Sequence, residues 1–206
     1  MNHRQQWDQR FDTDDFVFGE HPNRFLTEQA YRLPEGARIL AVADGEGRNG
    51  VWLAEQGHHV VSVDISANGQ AKARRLAAAR GAQVDFQIAD LSDWHWPVAA
   101  FDAVVAIFIQ FAGADLRRVM FDGMKRAVRP GGLILVQGYS PGQLAHGTGG
   151  PRDVENLYTE DMLRAAFDGW SVEHLRSHDD MLDEGAGHRG MSALIDLVVR
   201  RPVSAR

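Results

Sequence analysis

Apolar positions along the chain fall into short continuous runs separated by stretches with helical spacing. The continuous runs at residues 39–43, 101–108 and 133–137 are typical of strands that are buried on both faces of a sheet. Residues 67–80 and 116–128 carry the composition or the apolar spacing of helices. This alternation predicts an α/β fold in which an open parallel sheet lies between two layers of helices.

The pattern changes towards the C-terminus. Residues 140–156 are rich in glycine and predict a long loop, and Thr159 then caps a short helix. Residues 170–181 and 192–199 predict two strands that are close enough in sequence to pair as an antiparallel hairpin. The end of the sheet is therefore expected to be antiparallel.

A glycine-rich turn follows the first strand. Gly45, Gly47 and Gly50 fit the spacing G-x-G-x-x-G between a strand and a helix, and Asp64 ends the next strand. Glycines let a ligand lie against bare backbone at a helix N-terminus, and a carboxylate at position 64 can accept hydrogen bonds from ribose hydroxyls. The turn predicts a nucleoside cofactor but does not by itself choose which one.

Composition narrows the function classes. A length of 206 residues suits a single domain, and a net charge of −6 with scattered basic residues disfavours nucleic acid. Cysteine is absent, which excludes disulfides and thiol nucleophiles, and no H-x-x-x-H histidine pair falls on a predicted helix. Since no stretch resembles a signal peptide or a membrane span, we expect a cytoplasmic protein that needs no metal.

Several short motifs, in their order and spacing, give the chain a family resemblance. They are Trp7-Asp-x-Arg-Phe11, Phe18-Gly-x-x-Pro-Asn23, Gly45-Glu-Gly-Arg-Asn49, Val63-Asp-Ile-Ser66, Ala89-Asp-Leu91, Phe101-Asp102, Arg129-Pro-Gly-Gly132, Gly149-Gly-Pro151, Leu157-Tyr-Thr159 and Glu184-Gly-x-x-His188. The chain resembles the class I S-adenosylmethionine (SAM)-dependent methyltransferases, and within them the small tellurite-resistance and thiopurine-methyltransferase-like group. The resemblance covers nearly the whole chain. It implies a Rossmann-like three-layer sandwich with a seven-stranded, mostly parallel sheet and an antiparallel last strand.

The resemblance also implies a SAM-binding role for the matching residues. The turn from Gly45 to Gly47 would hold the methionine part of SAM, Asp64 the ribose hydroxyls and Asp90 the adenine amino group. Leu91 would supply backbone contact and apolar packing to the adenine ring. The further cofactor contacts that it implies are Phe18, Asn23, Ala43, Asp44, Asn49, Ile65, Ile107 and Gln110.

The first strand departs from the family pattern at two positions. The family has an acidic residue and a glycine where this chain has Ala41 and Ala43. Ala41 lacks the carboxylate that steadies the methionine end of SAM, and Ala43 adds a methyl group where bare backbone is the rule. Asp44 is a candidate for restoring negative charge near the ammonium group of SAM. An alternative hypothesis is therefore a SAM-binding protein that has lost catalysis.

A nicotinamide-dependent reductase is the other alternative for the glycine turn. Short-chain reductases use a tyrosine with a lysine four residues later, and none of the three tyrosines of this chain has that partner. The chain also shows no second domain that would bring a hydride acceptor. These features favour SAM over a nicotinamide cofactor.

Candidate catalytic residues lie in the C-terminal part of the chain. Methyl transfer needs mainly alignment of the nucleophile and exclusion of water, and cations or hydrogen-bond donors suit a thiolate or an oxyanion. The candidates are Tyr139, Arg152, His188 and Arg189. Each has a structural alternative: packing for Tyr139, a surface charge for Arg152, and the end of a turn for His188 and Arg189. We predict a small-molecule methyl acceptor and a monomer or homodimer.

The N-terminal residues 1–33 are predicted to form an arm and a helix within the single domain of residues 1–206. Aromatic side chains recur along the arm at Trp7, Phe11, Phe16 and Phe18. They suit either a lid over the cofactor or ordinary packing against the sheet. The lid is the role that we assign to residues 1–33.

Overall fold

The computed structural model describes residues 2–203 and contains a seven-stranded sheet in the order β3-β2-β1-β4-β5-β7-β6. The strands are β1 (Arg38–Val42), β2 (His59–Asp64), β3 (Val84–Ile88), β4 (Phe101–Ile107), β5 (Val128–Tyr139), β6 (Ser171–Asp183) and β7 (Arg189–Arg200). Strand β7 pairs antiparallel with β5 and β6, and every pair among β1 to β5 is parallel. The predicted Rossmann-like α/β class with an antiparallel last strand is confirmed.

Helices cover both faces of this sheet. They are α1 (His3–Phe11), α2 (Arg24–Gln29), α3 (Arg48–Glu55), α4 (Ala67–Arg80), α5 (Ala114–Ala127), α6 (Gln143–His146) and α7 (Glu160–Ala166), with short 3-10 turns at Ala30–Arg32 and Val154–Asn156. The side chains of Ser66 and Thr159 cap α4 and α7, as the sequence predicts. No helix within residues 2–203 is both long and apolar enough to cross a membrane.

Within residues 2–203, the two largest clusters of buried apolar side chains form the main core, one on each face of the sheet. Met124 of α5 and Phe167 after α7 belong to the first cluster, and Leu26 of α2 and Leu53 of α3 belong to the second. Strands β1, β4 and β5 contribute side chains to both clusters. Burial on two faces explains why these strands appear in the sequence as continuous apolar runs.

Three segments differ from the sequence prediction. Helix α1 was not predicted because Phe11 is its one buried side chain, and a capping box between Asn2 and Gln5 begins it. Residues 129–132, predicted as the turn that ends α5, form the irregular start of β5. The predicted loop at residues 140–156 contains α6 and a 3-10 turn.

The β6–β7 hairpin, which is longer at both strands than predicted, turns at residues 184–188. This β6–β7 turn lies against the N-terminal arm (residues 2–23), since the Gly187 N–H donates to the Val17 carbonyl at 2.9 Å. A Cβ at Gly185 would overlap the arm backbone at Phe18 and Gly19, which requires glycine there. The arm and the turn therefore meet at the carboxyl ends of the parallel strands.

Candidate active site

A cavity of about 400 Å³ opens at the carboxyl ends of the strands, where the strand order reverses between β1 and β4. Small-molecule sites typically occupy about 300–1,000 Å³. The glycine turn, the N-terminal arm and the β6–β7 turn bound the cavity. The residues predicted from the sequence that line it are Phe18, Ala43, Asp44, Gly45, Asn49, Asp64, Ile65, Asp90, Leu91, Ile107, Gln110, Tyr139, Arg152 and His188.

Close packing requires glycine at two positions of the turn. Gly47 is the N-cap of α3 with a φ of 84°, and a Cβ there would lie 2.6 Å from the Cβ of Ala73 in α4. A Cβ at Gly50 would overlap the carboxylate of Asp44. Gly47 lies outside the cavity lining and packs α3 against α4, and its cofactor contact stays a prediction.

Asp44 contacts the residue of β2 that is paired with position 41, where the family has its acidic residue. Ala41 is the register partner of Ser62 on β2. The Asp44 carboxylate accepts hydrogen bonds from Ser62 Oγ at 2.8 Å and from the Gly50 N–H at 3.2 Å. Burial raises the pKa of Asp44 to about 7, even though both hydrogen bonds lower it.

Ala43 adopts a φ of 50°, in the left-handed region that favours glycine. An L side chain in this region costs roughly 1–2 kcal/mol. The structure therefore accommodates alanine at this position without losing the turn, and the methyl group borders the cavity. The alanine that departs from the family pattern at position 43 therefore strains the local backbone but leaves the turn in place.

Asp64 closes the glycine turn from the side of β2. Its Oδ2 accepts from the Gly45 N–H and its Oδ1 from the Ser66 N–H, both at 2.8 Å. Burial raises the pKa of Asp64 to about 6, against the lowering effect of these hydrogen bonds. A carboxylate oxygen can accept more than one hydrogen bond, so Asp64 can still accept from hydroxyl groups in the cavity.

Asp90 and Leu91 follow β3 and line the same cavity. Hydrogen bonds from Ser92 lower the pKa of the half-buried Asp90, so this carboxyl group is ionised at neutral pH. Leu91 is buried at 5% exposure and offers an apolar surface beside the carboxylate. This pairing suits a flat ring that carries an amino group.

Glu46, a charged residue inside the glycine turn, holds the N-terminal arm in place. It is 2% exposed and accepts from the N–H groups of Val17 at 3.0 Å and Phe18 at 3.1 Å. Lys72 Nζ lies 2.8 Å from Glu46 and also donates to the Asp15 carbonyl at 2.7 Å. These bonds fix Phe18 beside the cavity.

Arg48 and Asn49 tie the same turn to the rest of the cover. Arg48 forms a buried ion pair with Glu184 of the β6–β7 turn at 2.7 Å, and Asn49 Oδ1 accepts from the Asn23 N–H at 2.9 Å. Asn23 is 1% exposed and donates to Glu184 and Gln137. It lies outside the cavity lining, where it caps α2 and links polar groups, and its cofactor contact stays a prediction.

His188 lies in an aromatic stack at the side of the cavity. Its ring stacks on Phe18 and Phe108, with ring centroids at 4.6 Å and 4.2 Å, and its Nδ1 lies 2.6 Å from the Tyr139 hydroxyl. Burial and two nearby arginines lower the pKa of His188 to about 3. Burial raises the pKa of Tyr139 well above its usual value, so both groups are neutral at physiological pH.

Two of the three arginines that line the cavity, Arg10 and Arg152, form no ion pair within residues 2–203. The Arg10 guanidinium lies 5.0 Å from the ring centroid of Phe18. Arg189 is exposed, pairs with Asp183 at 3.1 Å and does not line the cavity. His188, which reaches the cavity, is the last residue of the β6–β7 turn, and Arg189 is the first residue of β7.

Gln110 is a structural part of the cavity wall. Its amide donates to the carbonyls of Tyr139 at 2.8 Å and Asn156 at 2.9 Å, and its oxygen accepts from the Tyr139 N–H. Cavity residues that were not predicted as site residues include Trp7, Arg10, Phe11, Glu46, Arg48, Phe108 and Phe111. The aromatic residues spaced along the arm and the phenylalanines after β4 were the features of the sequence that could have indicated them.

No cluster of metal-ligating side chains occurs in the described part of the chain.

The buried carboxyl group of Asp44 predicts a pH dependence of stability. Its pKa is about 7 in the folded chain and 3.8 ordinarily, so its favourable contribution is fully present below pH 3.8 and is lost as the pH rises to about 7. We expect the unfolding free energy of Asp44→Asn, measured by urea titration, to rise relative to the wild type over this range. A difference between the two proteins that does not change with pH would contradict the prediction.

The comparison with known proteins places a methyltransferase sequence pattern over the first part of this site. Residues 39–132 match the family described as "Methyltransferase domain". The demethylmenaquinone methyltransferase of Clavibacter sepedonicus is 34% identical over 122 residues, which cover 57% of this chain and 47% of that protein. The chain thus spans about half the length of the demethylmenaquinone methyltransferases that it matches.

Two solved structures share the fold of nearly the whole chain. A structure described as "Conversion of a Disulfide Bond into a Thioacetal Group during Echinomycin Biosynthesis" has a TM-score of 0.78 and 20% identity, covering 99% of this chain and 94% of that chain. TehB from Haemophilus influenzae has a TM-score of 0.71 and 16% identity, covering 96% of this chain and 66% of that chain. At these identities the likeness concerns the fold.

Proposed function

We propose that this chain, in which residues 39–132 match a methyltransferase domain and the fold is that of the SAM-dependent methyltransferases, transfers a methyl group from SAM to a small-molecule nucleophile. The observation that carries the proposal is that the carboxyl groups of Asp44, Asp64 and Asp90 line one cavity. They follow β1, β2 and β3, and this order suits the ammonium, ribose and adenine groups of SAM. Bound SAM supplies a methyl group on a positively charged sulfur, from which the acceptor displaces it in line.

The chemistry of the cavity residues fits SAM. Asp44 supplies a carboxylate that replaces the one missing at Ala41, and it becomes fully ionised when a cation lies beside it. The aromatic faces of Trp7, Phe11 and Phe18 line the same cavity, and such faces attract a positively charged sulfonium. These features support an intact cofactor site over the degraded one that Ala41 and Ala43 suggest.

The proposal assigns residues 1–33 of the single domain, so far as the structure describes them, to a lid over the cofactor. Five arm residues border the cavity, and the hydrogen bonds from the arm to Glu46 and the Arg48–Glu184 ion pair hold the cover to the glycine turn. A closed cover excludes water from the sulfonium and from the nucleophile. The packing interpretation and the lid are compatible, since the same contacts serve both.

The finer part of the proposal is an acceptor such as a thiol or an oxyanion, as in the tellurite-resistance and thiopurine-methyltransferase-like group. Arg10 and Arg152 support it because two cationic side chains at one cavity favour an anionic ligand. The fold shared with TehB is consistent with this group. Tyr139, His188 and Arg152 are the residues that we place beside the acceptor.

The first test is calorimetric titration of the purified protein with SAM, S-adenosylhomocysteine, NADH and NADPH. We expect SAM and S-adenosylhomocysteine to bind with micromolar dissociation constants and the nicotinamide cofactors to give no heat. If SAM binds, the protein should then be incubated with labelled SAM and an equimolar mixture of candidate acceptors that contains benzenethiol, selenite and tellurite. Binding of a nicotinamide without SAM would overturn the proposal in favour of a reductase. Binding of SAM without transfer to any acceptor of a broad small-molecule set would favour the non-catalytic alternative.

A further inference from the structure

The hydrogen bond between Tyr139 and His188 has a direction that the surrounding residues determine. The Tyr139 hydroxyl lies 2.6 Å from His188 Nδ1, and within residues 2–203 it has no other hydrogen-bond partner. A phenol carries one proton, and a buried donor without an acceptor costs about 1–3 kcal/mol. The hydroxyl therefore donates to Nδ1, which must be unprotonated to accept.

The second ring nitrogen follows from the first. His188 is 9% exposed and stacks on Phe18 and Phe108, and the arginines that face it, Arg10 and Arg48, disfavour a charged ring. A neutral imidazole carries one ring proton, which then lies on Nε2 because Nδ1 accepts from the phenol. Within the described residues, Nε2 has no hydrogen-bond partner, and His188 lines the cavity.

We propose that Tyr139 is a positioning residue that fixes His188 with its proton on Nε2, so that His188 gives the methyl acceptor a hydrogen-bond donor and does not act as a base. This inference rests on the proposed methyltransferase function. It goes beyond that function because it names the chemical state of the acceptor. A site whose histidine is a donor selects acceptors whose nucleophilic atom is already unprotonated.

The other groups of the cavity agree with an ionised acceptor. The Glu46 carboxylate is paired with Lys72, and the carboxylates of Asp44 and Asp64 accept hydrogen bonds from the turn. Asp153 is engaged by the N–H of Glu155. The groups that face Tyr139 and His188 from the arm, from α3 and from the β6–β7 turn are Arg10, Arg48 and Glu184. Arg10 and Arg152 add cations to the His188 donor.

Methyl transfer to an ionised acceptor needs no general base. A lone pair of the ionised acceptor forms the new bond to the methyl carbon while the carbon–sulfur bond breaks, and its electron pair stays on sulfur. The acceptor loses one negative charge and the sulfur loses its positive charge. No proton leaves the acceptor, so no side chain needs to receive one. The hydrogen bond from His188 Nε2 holds the acceptor in line during this exchange.

The test is nitrogen-15 NMR of the histidine ring in the complex with S-adenosylhomocysteine, which reports the protonated nitrogen directly. We expect His188 to show a protonated Nε2 and an unprotonated Nδ1 throughout pH 5–9. Tyr139→Phe should redistribute the proton between both nitrogens. Tyr158→Phe is the matched control: Tyr158 is also fully buried, its hydroxyl has no partner within residues 2–203, and its loss should leave the His188 signals unchanged.

Addition of benzenethiol or selenite at pH 8 should shift the Nε2–H signal of the wild type, and the shift should be smaller in Tyr139→Phe. A proton on Nδ1 in the wild type, or the absence of a shift with either probe, would overturn the inference. Failure of the proposed function is distinguishable, because S-adenosylhomocysteine would then not bind in calorimetry. In turnover with whichever probe is methylated, Tyr139→Phe should lower kcat by roughly tenfold with the SAM dissociation constant unchanged.

Discussion

Replacing Asp44 with asparagine is expected to weaken SAM binding about 10- to 100-fold, since a hydrogen bond to a charged group contributes about 1.5–3 kcal/mol and 1.4 kcal/mol corresponds to tenfold. The carboxylate lies beside Ser62 and the Gly50 N–H at the edge of the cavity. Asparagine keeps the size of the side chain and removes the negative charge that holds the ammonium group. Calorimetric titration with SAM at pH 8 measures the effect directly.

The control for Asp44 moves the carboxylate to the position where the family has it. Ala41 is the register neighbour of Ser62, so Ala41→Asp combined with Asp44→Asn should recover part of the lost affinity. Ala41→Asp alone should bring little gain, because a second carboxyl group beside Asp44 repels it. A large gain from Ala41→Asp alone, or unchanged affinity in Asp44→Asn, would mean that Asp44 does not replace the missing acid.

Replacing Glu46 with glutamine is expected to lower the unfolding free energy by about 3–5 kcal/mol, the usual cost of leaving one partner of a buried ion pair uncompensated. Glu46 is 2% exposed, and its partner Lys72 is also buried. The same substitution weakens the bonds from the N–H groups of Val17 and Phe18 that hold the arm. Urea unfolding measures the first effect, and hydrogen exchange at these two amides measures the second.

Glu55→Gln is the matched control for Glu46. Glu55 pairs with Arg80 at 3.2 Å, and the two side chains are 29% and 23% exposed. Partly exposed pairs contribute about 0–1 kcal/mol, so this variant should stay close to the wild type. Should Glu46→Gln unfold like Glu55→Gln and keep the amides of Val17 and Phe18 protected, the arm would be held by packing alone.

The sheet could be predicted from the sequence because its central strands are buried on two faces. Residues 103–108 and 133–136 form uninterrupted apolar runs that no surface helix would show. Helix α1 gave no such signal, since one buried side chain does not make a periodic pattern. Its position depends on tertiary contacts, such as the hydrogen bond from Ser66 Oγ to Asp8 at 2.6 Å.

The candidate site was predictable where a residue's place on a strand decides its surroundings. Asp64 and Asp90 follow parallel strands, and parallel strands end at one edge of the sheet. Arg189 was predicted with His188 because the two are adjacent, but Arg189 pairs with Asp183 at 3.1 Å and does not line the cavity. The roles of Glu46 and Arg48 were not predictable, because their partners lie far away in sequence.

The contacts of the glycine turn show that the segment that matches the family is shorter than the segment that folds cooperatively. Residues 39–132 match the methyltransferase domain family, yet Glu46, Arg48 and Asn49 take partners from residues 17–23 and from Glu184. The matched segment also stops inside β5, whose residues 133–139 pair with β4 and β7. A fragment cut at these boundaries would leave Arg48 without its counterion Glu184 and an unpaired edge on β4. Modular exchange of this domain between proteins therefore has to carry the arm and the hairpin with it.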